Sequence, residues 1–428
     1  MTQSNLKSLP FMLYADAKGR VFEHSHYRMV GFSGGTPAIP AREDLIVMPE
    51  FSKLFFMPDC PPLGVDPFTG EIHAVTEAGS ASKPCHAVAA FLEPGYVRGH
   101  LPAADYRKKK ITLPTWAYTA VGYKDGKYRA SGYLVEYNPR WDPRNYDDRV
   151  LLPAIKAYKK KHPPWPLITH LEGCATKNHC FAAKNLFLER WEAPIPVSRS
   201  CNASCVGCLS LQKGDSCTTA SHQRISFRPS REEVVDMASA HLETAPKAII
   251  SFGQGCEGEP LTEYRLIAEC IEGIRKKTKK GTINLNTNGS SPERIALLAR
   301  SGLDSIRISL NSARPPLYHA YYRPKDYRFE DVEAAIALST ELGLYTMVNY
   351  LVFPGVTDQE AELEALGDLL RRTGVHFLHM KNLNIDPTLY LKILPEGDPP
   401  ALGMRRFASL LTKACPDVRL GYFNQPVR

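Results

Sequence analysis

The 428-residue sequence contains no run of about 18 consecutive apolar residues, the length a membrane-crossing helix needs, so no span is expected. Its opening stretch, MTQSNLKSLPFMLYADAKGR, lacks a basic region followed by a long apolar one, and no secretory signal is expected either. The first 190 residues hold no internal repeat and no low-complexity tract. Charge of one sign is also scarce, because a net +8 is modest over this length. What excess there is sits mainly in residues 151–200, which carry eight Lys/Arg against three Glu. Against these absences stand 43% hydrophobic residues, enough for a sizeable core, and a length for which two domains are the natural expectation. Eleven cysteines without a signal point to reduced thiols and metal ligation in a reducing cytoplasm, not to a disulfide framework.

Three of those cysteines, Cys201, Cys205 and Cys208, form a C-x3-C-x2-C cluster in CNASCVGC, directly after the strand-like WEAPIPVSRS. No fourth Cys or His nearby completes the set. A structural zinc site needs four protein ligands, and zinc motifs normally come as two paired clusters. Zinc or a disulfide is therefore the plainer but weaker alternative. Three soft thiolates on one turn can hold three corners of a four-iron four-sulfur cluster and leave the fourth iron open.

With these cysteines the chain resembles the radical S-adenosylmethionine (radical SAM) superfamily over about residues 193–400. Glu257-Gly258-Glu259-Pro260, in IISFGQGCEGEPL, looks like its GGEP motif. INLNTNGS (283–290) and SIRISLNS (305–312) look like its ribose- and carboxylate-binding strand ends, and VFPGVTDQEAE (352–362) is similar to its fifth strand-to-helix junction. Two positions depart from the pattern: Gly207 stands before the third cysteine, where an aromatic is frequent, and Glu257 replaces the first glycine of GGEP. The resemblance implies a 4Fe-4S cluster on Cys201, Cys205 and Cys208, with S-adenosylmethionine (SAM) bound through its amino and carboxylate groups at the open iron. One electron from the cluster would cleave SAM to methionine and a 5′-deoxyadenosyl radical. Glu259 would accept from the methionine ammonium, with Gly258 allowing close backbone approach. Asn286 and Asn288 would face the ribose, and Ser309 with Asn311 or Arg307 the carboxylate. An electron donor of flavodoxin or ferredoxin type is an implied partner, and oxygen sensitivity an implied property.

From Trp191 onward short apolar runs alternate with amphipathic stretches. Strands are expected near 194–200, 248–254, 282–288, 305–311, 345–353 and 377–384. Helices are expected near 230–243, 262–279, 291–301, 328–342, 358–373 and 401–414, with caps at Ser230, Ser291 and Thr357-Asp358. Six β-α units in succession predict an α/β fold, a partial (β/α)6 barrel of the radical SAM type in 193–428 with a C-terminal extension. Within two strands Asn284, Asn286 and Asn288, and Arg307, Ser309 and Asn311, share one face opposite Ile, Leu neighbours. Such a polar interior either binds something or forms a hydrogen-bonded structural network.

Residues 1–137 predict a mixed, β-rich N-terminal domain from PFMLYA, DLIVMP, ITLPTWAYTAVGY and YRASGYLVEY, with GYKDGKY as a hairpin. Residues 138–192 predict a basic, Pro-containing connector with one short helix, LLPAIKAYKKK. Cys174 and Cys180 form a second pair there, flanked by His170 and His179. With Cys60 and Cys85 they number four, enough for an auxiliary iron–sulfur cluster or zinc site, the alternative being buried free thiols. Cys256 is similar in place to a cysteine of the superfamily's RNA-methylating branch, but reads more plainly as a packing residue, as do Cys217, Cys270 and Cys415. Tyr322 and Arg323 after the fourth strand, and His379, Lys381 and Asn384 at the sixth, are candidates for the substrate mouth.

The leading function is a radical SAM enzyme acting on an unidentified peptide, protein or small metabolite. An RNA substrate is a further alternative, suggested by YRKKK (106–110) and AYKKKHPPWP (157–166), where lysines stand beside aromatics. Against it, a charge run is usually a solvated face. A non-catalytic iron–sulfur or zinc scaffold protein is the alternative from another class.

Overall fold

The computed structural model describes residues 3–78, 83–109, 112, 116–212, 220–395 and 401–428. Cys217, Lys110 and most of residues 111–115 lie outside these. The chain divides into two compact units. The first comprises Met1–Tyr137, Leu351–Leu366 and Met380–Ala414, and the second Asn138–Tyr350, Gly367–His379 and Cys415–Arg428.

The first unit is built on a ten-stranded antiparallel sheet. Phe11–Ala15 lies in its middle, paired with Val21–Met29 and His86–Phe91. The hairpin of Thr119–Lys124 and Lys127–Leu134 closes with Lys124 opposite Lys127. Asp125 and Gly126, at φ 52° and 74°, supply the two left-handed residues of its tight turn, which matches the right-handed twist of the strands. Alternating residues of the sheet (Leu13, Ala15, Val88, Ala90 and Val121) bury one face in a common apolar cluster.

The second unit begins with three helices instead of one: α1 (Asp148–Lys161), α2 (Pro166–Thr176) and α3 (Phe181–Phe187). The last two are short, at eleven and seven residues, so propensity alone does not announce them. They lead into a seven-stranded parallel sheet in sequential order. Its strands are β1 (Glu192–Pro194), β2 (Ile249–Phe252), β3 (Thr282–Thr287), β4 (Ser305–Leu310), β5 (Tyr345–Val352), β6 (Phe377–Asn382) and β7 (Arg419–Gly421). Between them run α4 (Arg231–Thr244), α5 (Tyr264–Lys277), α6 (Pro292–Ser301), α7 (Pro315–Tyr322), α8 (Phe329–Glu341), α9 (Glu360–Thr373) and α10 (Met404–Ala414), the start of α9 and all of α10 being counted with the first unit. This is the expected α/β arrangement of parallel strands and helices after an antiparallel, β-rich region, with one strand more than expected at the C-terminal end. Ser230 and Glu233 form a reciprocal capping box at α4, and Ser291 caps α6, as the sequence predicts. On β4 the outward Ile306, Ile308 and Leu310 are fully buried, each contributing about 1.5–3 kcal/mol.

β1 is shorter than expected. Pro194 and Pro196 bring no N–H to a ladder. The next two N–H groups, of Val197 and Ser198, turn away to the Glu257 carboxylate at 2.8 and 3.0 Å.

Candidate active site

The loop carrying Cys201, Cys205 and Cys208 leaves the end of β1 and is pinned from both sides. On one side residues 321–325, at the end of α7, hold it by backbone bonds. Ser204 N and Val206 N donate to Tyr322 O and Tyr321 O at 3.0 and 3.1 Å, and Lys325 N donates to Asn202 O at 3.0 Å. The chain makes that approach by turning at Arg323, whose φ of 49° is left-handed. On the other side the Asn202 side chain joins the turn after β3. Asn288 Nδ2 donates to Asn202 Oδ1 at 2.8 Å, and Asn202 Nδ2 donates to Ser290 Oγ at 3.0 Å. The ten described cysteines are free thiols. Burial pushes the Cys201 thiol up and the Cys205 thiol well up, the charges of Cys201 and Cys208 adding to the latter. Arg224 Nη2 lies 3.5 Å from Cys208 Sγ while its Nε donates to Ser210 Oγ at 3.0 Å.

The EGEP segment seats the base of this loop. Gly258 N donates to Ser198 O and Glu259 N to Ser200 O, both at 2.8 Å. A Cβ at Gly258 would stand 1.9 Å from Ser200 O, so no other residue permits this approach. Glu257, the departure from a glycine, is buried and accepts from Val197, Ser198, Gly253 and Gln254 backbone N–H groups. It thus ties the end of β1 to the end of β2. Glu259 is buried beside it, accepting from Leu261 N at 3.0 Å, Thr287 Oγ1 at 2.5 Å and Asn288 N at 2.8 Å. Burial raises its carboxyl to about 7 against the lowering pull of these donors.

The polar faces of β3 and β4 do point inward, and part of that interior is a closed network. Asn284 Nδ2 donates to Ser251 Oγ and to Asn286 Oδ1, and Ser305 Oγ donates to Asn284 Oδ1. Asn286 Nδ2 donates to Phe252 O at 3.1 Å, so both ends of this amide are engaged inside the sheet. Glu192, on β1, extends the network by accepting from Ser251, Gln254 and Asn424. Asn311 is buried, with Nδ2 donating to Leu317 O at 3.0 Å. Further along the sheet the bonding is incomplete. Asn349, on β5 opposite Ser309, donates to Ser309 Oγ at 3.2 Å. Asn349 Oδ1 and Arg307 Nε are buried without a partner among the described residues. Such orphaned atoms cost about 1–3 kcal/mol each unless a bound group answers them.

The residues expected at the substrate mouth separate. Tyr322 is buried and stacked on Tyr318 at 4.5 Å. Arg323 is exposed at the left-handed turn. His379 has no exposed surface; its Nδ1 lies 3.1 Å from Tyr422 O and its Nε2 3.4 Å from Met347 Sδ. This histidine is a core residue, which corrects its expected place at a mouth. Lys381 and Asn384, half-buried, belong to the first unit.

The four-cysteine auxiliary set is also corrected. Cys60 and Cys85 sit in separate apolar clusters of the first unit, and the Cys85 thiol is spent on Val75 O. Cys174, of the second unit, instead meets His170 and Cys256, which the sequence separates by eighty-odd residues and could not join to it. The basic stretches do not present stacking aromatics. Tyr106 donates to Pro102 O, Lys109 pairs with the buried Asp386, Tyr158 is buried, and Trp165 Nε1 donates to Asp236. Sequence reasoning missed Asn202, Glu192, Arg224 and Asn349. Of these only Asn349 carried a signal, being polar on the inward face of an apolar strand.

Residues 195–366 match the family model described as the radical SAM superfamily. A GTP 3′,8-cyclase from Petrotoga mobilis is 26% identical over 223 residues, covering 50% of this chain and 59% of the relative. A probable GTP 3′,8-cyclase from Methanosarcina acetivorans is 26% identical over 201 residues, covering 46% and 55%. The chain thus spans little more than half the length of these relatives. A radical SAM methyltransferase structure from Sphaerobacter thermophilus superposes with a TM-score of 0.39 at 17% identity, over 55% of this chain and 67% of that one.

Proposed function

The chain belongs to the radical SAM superfamily through residues 195–366, and from that membership we propose that it binds a 4Fe-4S cluster through Cys201, Cys205 and Cys208 and uses it with SAM to modify a substrate. The observation that carries this reading is the cluster loop: three free thiols within eight residues, held from two sides by backbone and amide bonds. The residues present fit the groups implied. The thiols are the soft ligands a cluster takes, and Arg307 Nε and Asn349 Oδ1 are buried polar atoms still lacking partners. When bound, the cluster and SAM supply one-electron, hydrogen-abstracting chemistry.

The chain's own residues then have separable tasks. Glu259 presents a carboxylate toward an ammonium group and is held rigid by Thr287 and Asn288. Arg307, Ser309 and Asn349 offer donors and acceptors to a carboxylate or ribose, with Asn288 and Asn311 at the neighbouring strand ends. Asn286 supports them from within the sheet, because its amide is already engaged. Arg224 places positive charge beside Cys208. An external one-electron donor of flavodoxin or ferredoxin type completes the system.

For the substrate, a small polar molecule is favoured over RNA, since of the lysine-flanked aromatics that suggested RNA Tyr158 is buried and Tyr106 and Trp165 are half-buried and hydrogen-bonded within the chain. GTP, which gives the cyclase relatives their name, is the first compound to test, and peptides the second. The decisive experiment reconstitutes the protein anaerobically and follows the paramagnetic signal of the reduced cluster. SAM is expected to perturb that signal in the wild type, and Cys201/Cys205/Cys208→Ala is expected to lose both iron and response. A triple variant that keeps both would overturn the reading.

A further inference from the structure

Two thiols and one imidazole meet outside the cluster loop, and a second imidazole, His222, lies on a neighbouring segment. His170 and Cys174 stand one turn apart on α2, so both project from one face. Cys174 and Cys256 are 2% and 3% exposed, and the ligand atoms of His170, Cys174 and Cys256 all lie within 4.8 Å of one another. His170 Nε2 is 3.7 Å from Cys174 Sγ. In a zinc tetrahedron with the usual bond lengths, a sulfur-to-nitrogen edge is about 3.5 Å. The spacing already approximates that edge.

We propose that His170, Cys174, Cys256 and His222 form a second metal centre taking one tetrahedral divalent cation, zinc by preference. His222 is the fourth ligand because its segment is fastened beside Cys256. Its backbone N–H donates to Leu209 O, just past Cys208, at 2.9 Å. Three residues on, Ile225 N donates to Cys256 O at 2.8 Å. The His222 ring packs over Gly255, where a Cβ would meet it at 3.6 Å. It also acts electrostatically on Cys174. Cys180, the other neighbour, faces the N–H groups of Ala182 and Ala183 that open α3. Two thiolates and two neutral imidazoles make a closed, charge-neutral set for a dication, one of the usual structural zinc sets. On binding, the two thiols release their protons to solvent and the metal–sulfur bonds form without any redox change. The centre ties α2, the loop after β2 and the chain leaving the cluster loop into one unit. The ligand order, Cys and His on α2, then His222, then Cys256, is one that no sequence spacing rule anticipates.

The test is independent of SAM and of the iron–sulfur cluster. In the Cys201/Cys205/Cys208→Ala background, about one zinc per chain is expected after purification, and Cys174→Ser with Cys256→Ser is expected to abolish it. The chelator-stripped triple-Ala variant titrated with Co2+ alone should develop the visible bands of a tetrahedral site and a thiolate charge-transfer band, with protons released on binding. His222→Ala should weaken cobalt binding by roughly tenfold or more, whereas Cys180→Ser should leave it unchanged. A folded triple variant without zinc and without cobalt bands would overturn the centre, as would a Cys174–Cys256 disulfide found by mass mapping. Loss of metal in Cys180→Ser but not in His222→Ala would overturn the assignment of the fourth ligand. Because none of these readouts involves SAM, failure here leaves the proposed function standing, and the reverse also holds.

Discussion

Glu259 is where burial and charge compete most directly at the level of single residues. Its carboxyl, raised by burial to about 7, is protonated over part of the time near neutrality. Pairing with an ammonium needs the carboxylate, so SAM affinity is expected to fall as pH drops through about 7 and to level off above it. Glu259→Ala should lower affinity about ten- to hundredfold, the equivalent of about 1.5–3 kcal/mol for a charge-assisted bond. Glu259→Gln should flatten the pH profile. Equilibrium binding between pH 6 and 8.5 checks both, and an unchanged, pH-independent affinity in Glu259→Ala would reject the role. Gly258 gives a second prediction of the same scale. Because a Cβ there would collide with Ser200 O, Gly258→Ala is expected to displace the base of the cluster loop. Iron content after reconstitution should drop severalfold while far-ultraviolet circular dichroism stays native. Full iron loading in Gly258→Ala would show that the close approach is dispensable.

Among the elements, the turn after β3 and the end of α7 clasp the cluster loop between them. Asn202 spans to Asn288 and Ser290, so Asn202→Ala leaves the Asn288 amide and the Ser290 hydroxyl to find other partners. Each such bond contributes about 0.5–1.5 kcal/mol. The variant is expected to lose its cluster several times faster in air than the wild type, at little cost in melting temperature, as followed by the decay of visible absorbance. Equal decay rates would mean that residues 321–325 suffice. Apart from the eight-residue α7, which was not expected, the strands and helices from β2 to α10 were legible in the sequence to within about two residues at most ends, because alternation, caps and helical periodicity agreed locally. β1 was the exception. Its sequence is apolar enough for seven residues of strand, but its N–H groups are claimed by Glu257, sixty residues away. No local pattern records such a partner. β7 and helices α2 and α3 were missed for the opposite reason: they are short, and tertiary packing makes them regular where propensity does not.

Taken as a whole molecule, the chain does not part cleanly at residue 137. Residues 351–366 and 380–414 belong to the same compact unit as residues 1–137. Within that unit Arg98, fully buried, receives Asn382 Oδ1 on its backbone N–H and donates from Nη2 to Leu383 O at 2.8 Å. Gly34 N likewise donates to Pro354 O at 2.9 Å. A chain lacking residues 1–137 would therefore expose apolar surface and strand two carbonyls. It is expected to aggregate or to melt without cooperativity, and a soluble protein of residues 138–428 with a sharp transition would contradict that.

The sequence by itself determined the chemistry and the scaffold that carries it. A C-x3-C-x2-C loop needs only a turn to bring three thiols together, and successive β-α units need only periodicity and caps to form a parallel sheet. Proximity along the chain is enough for both. The tertiary structure alone decided which polar groups are spent and which are left open. Asn286 and Asn349 look equivalent as inward amides on strands. One is closed within a network by Asn284 and Phe252, while the other keeps an unanswered oxygen. It also decided which thiols meet. Cys174 was paired in sequence with Cys180, six residues away, yet in space it faces Cys256 and His170, because the helix α2 turns one face toward the loop after β2. Contacts between distant segments depend on how whole elements pack, and that information is spread over the entire chain instead of residing in any one stretch of it.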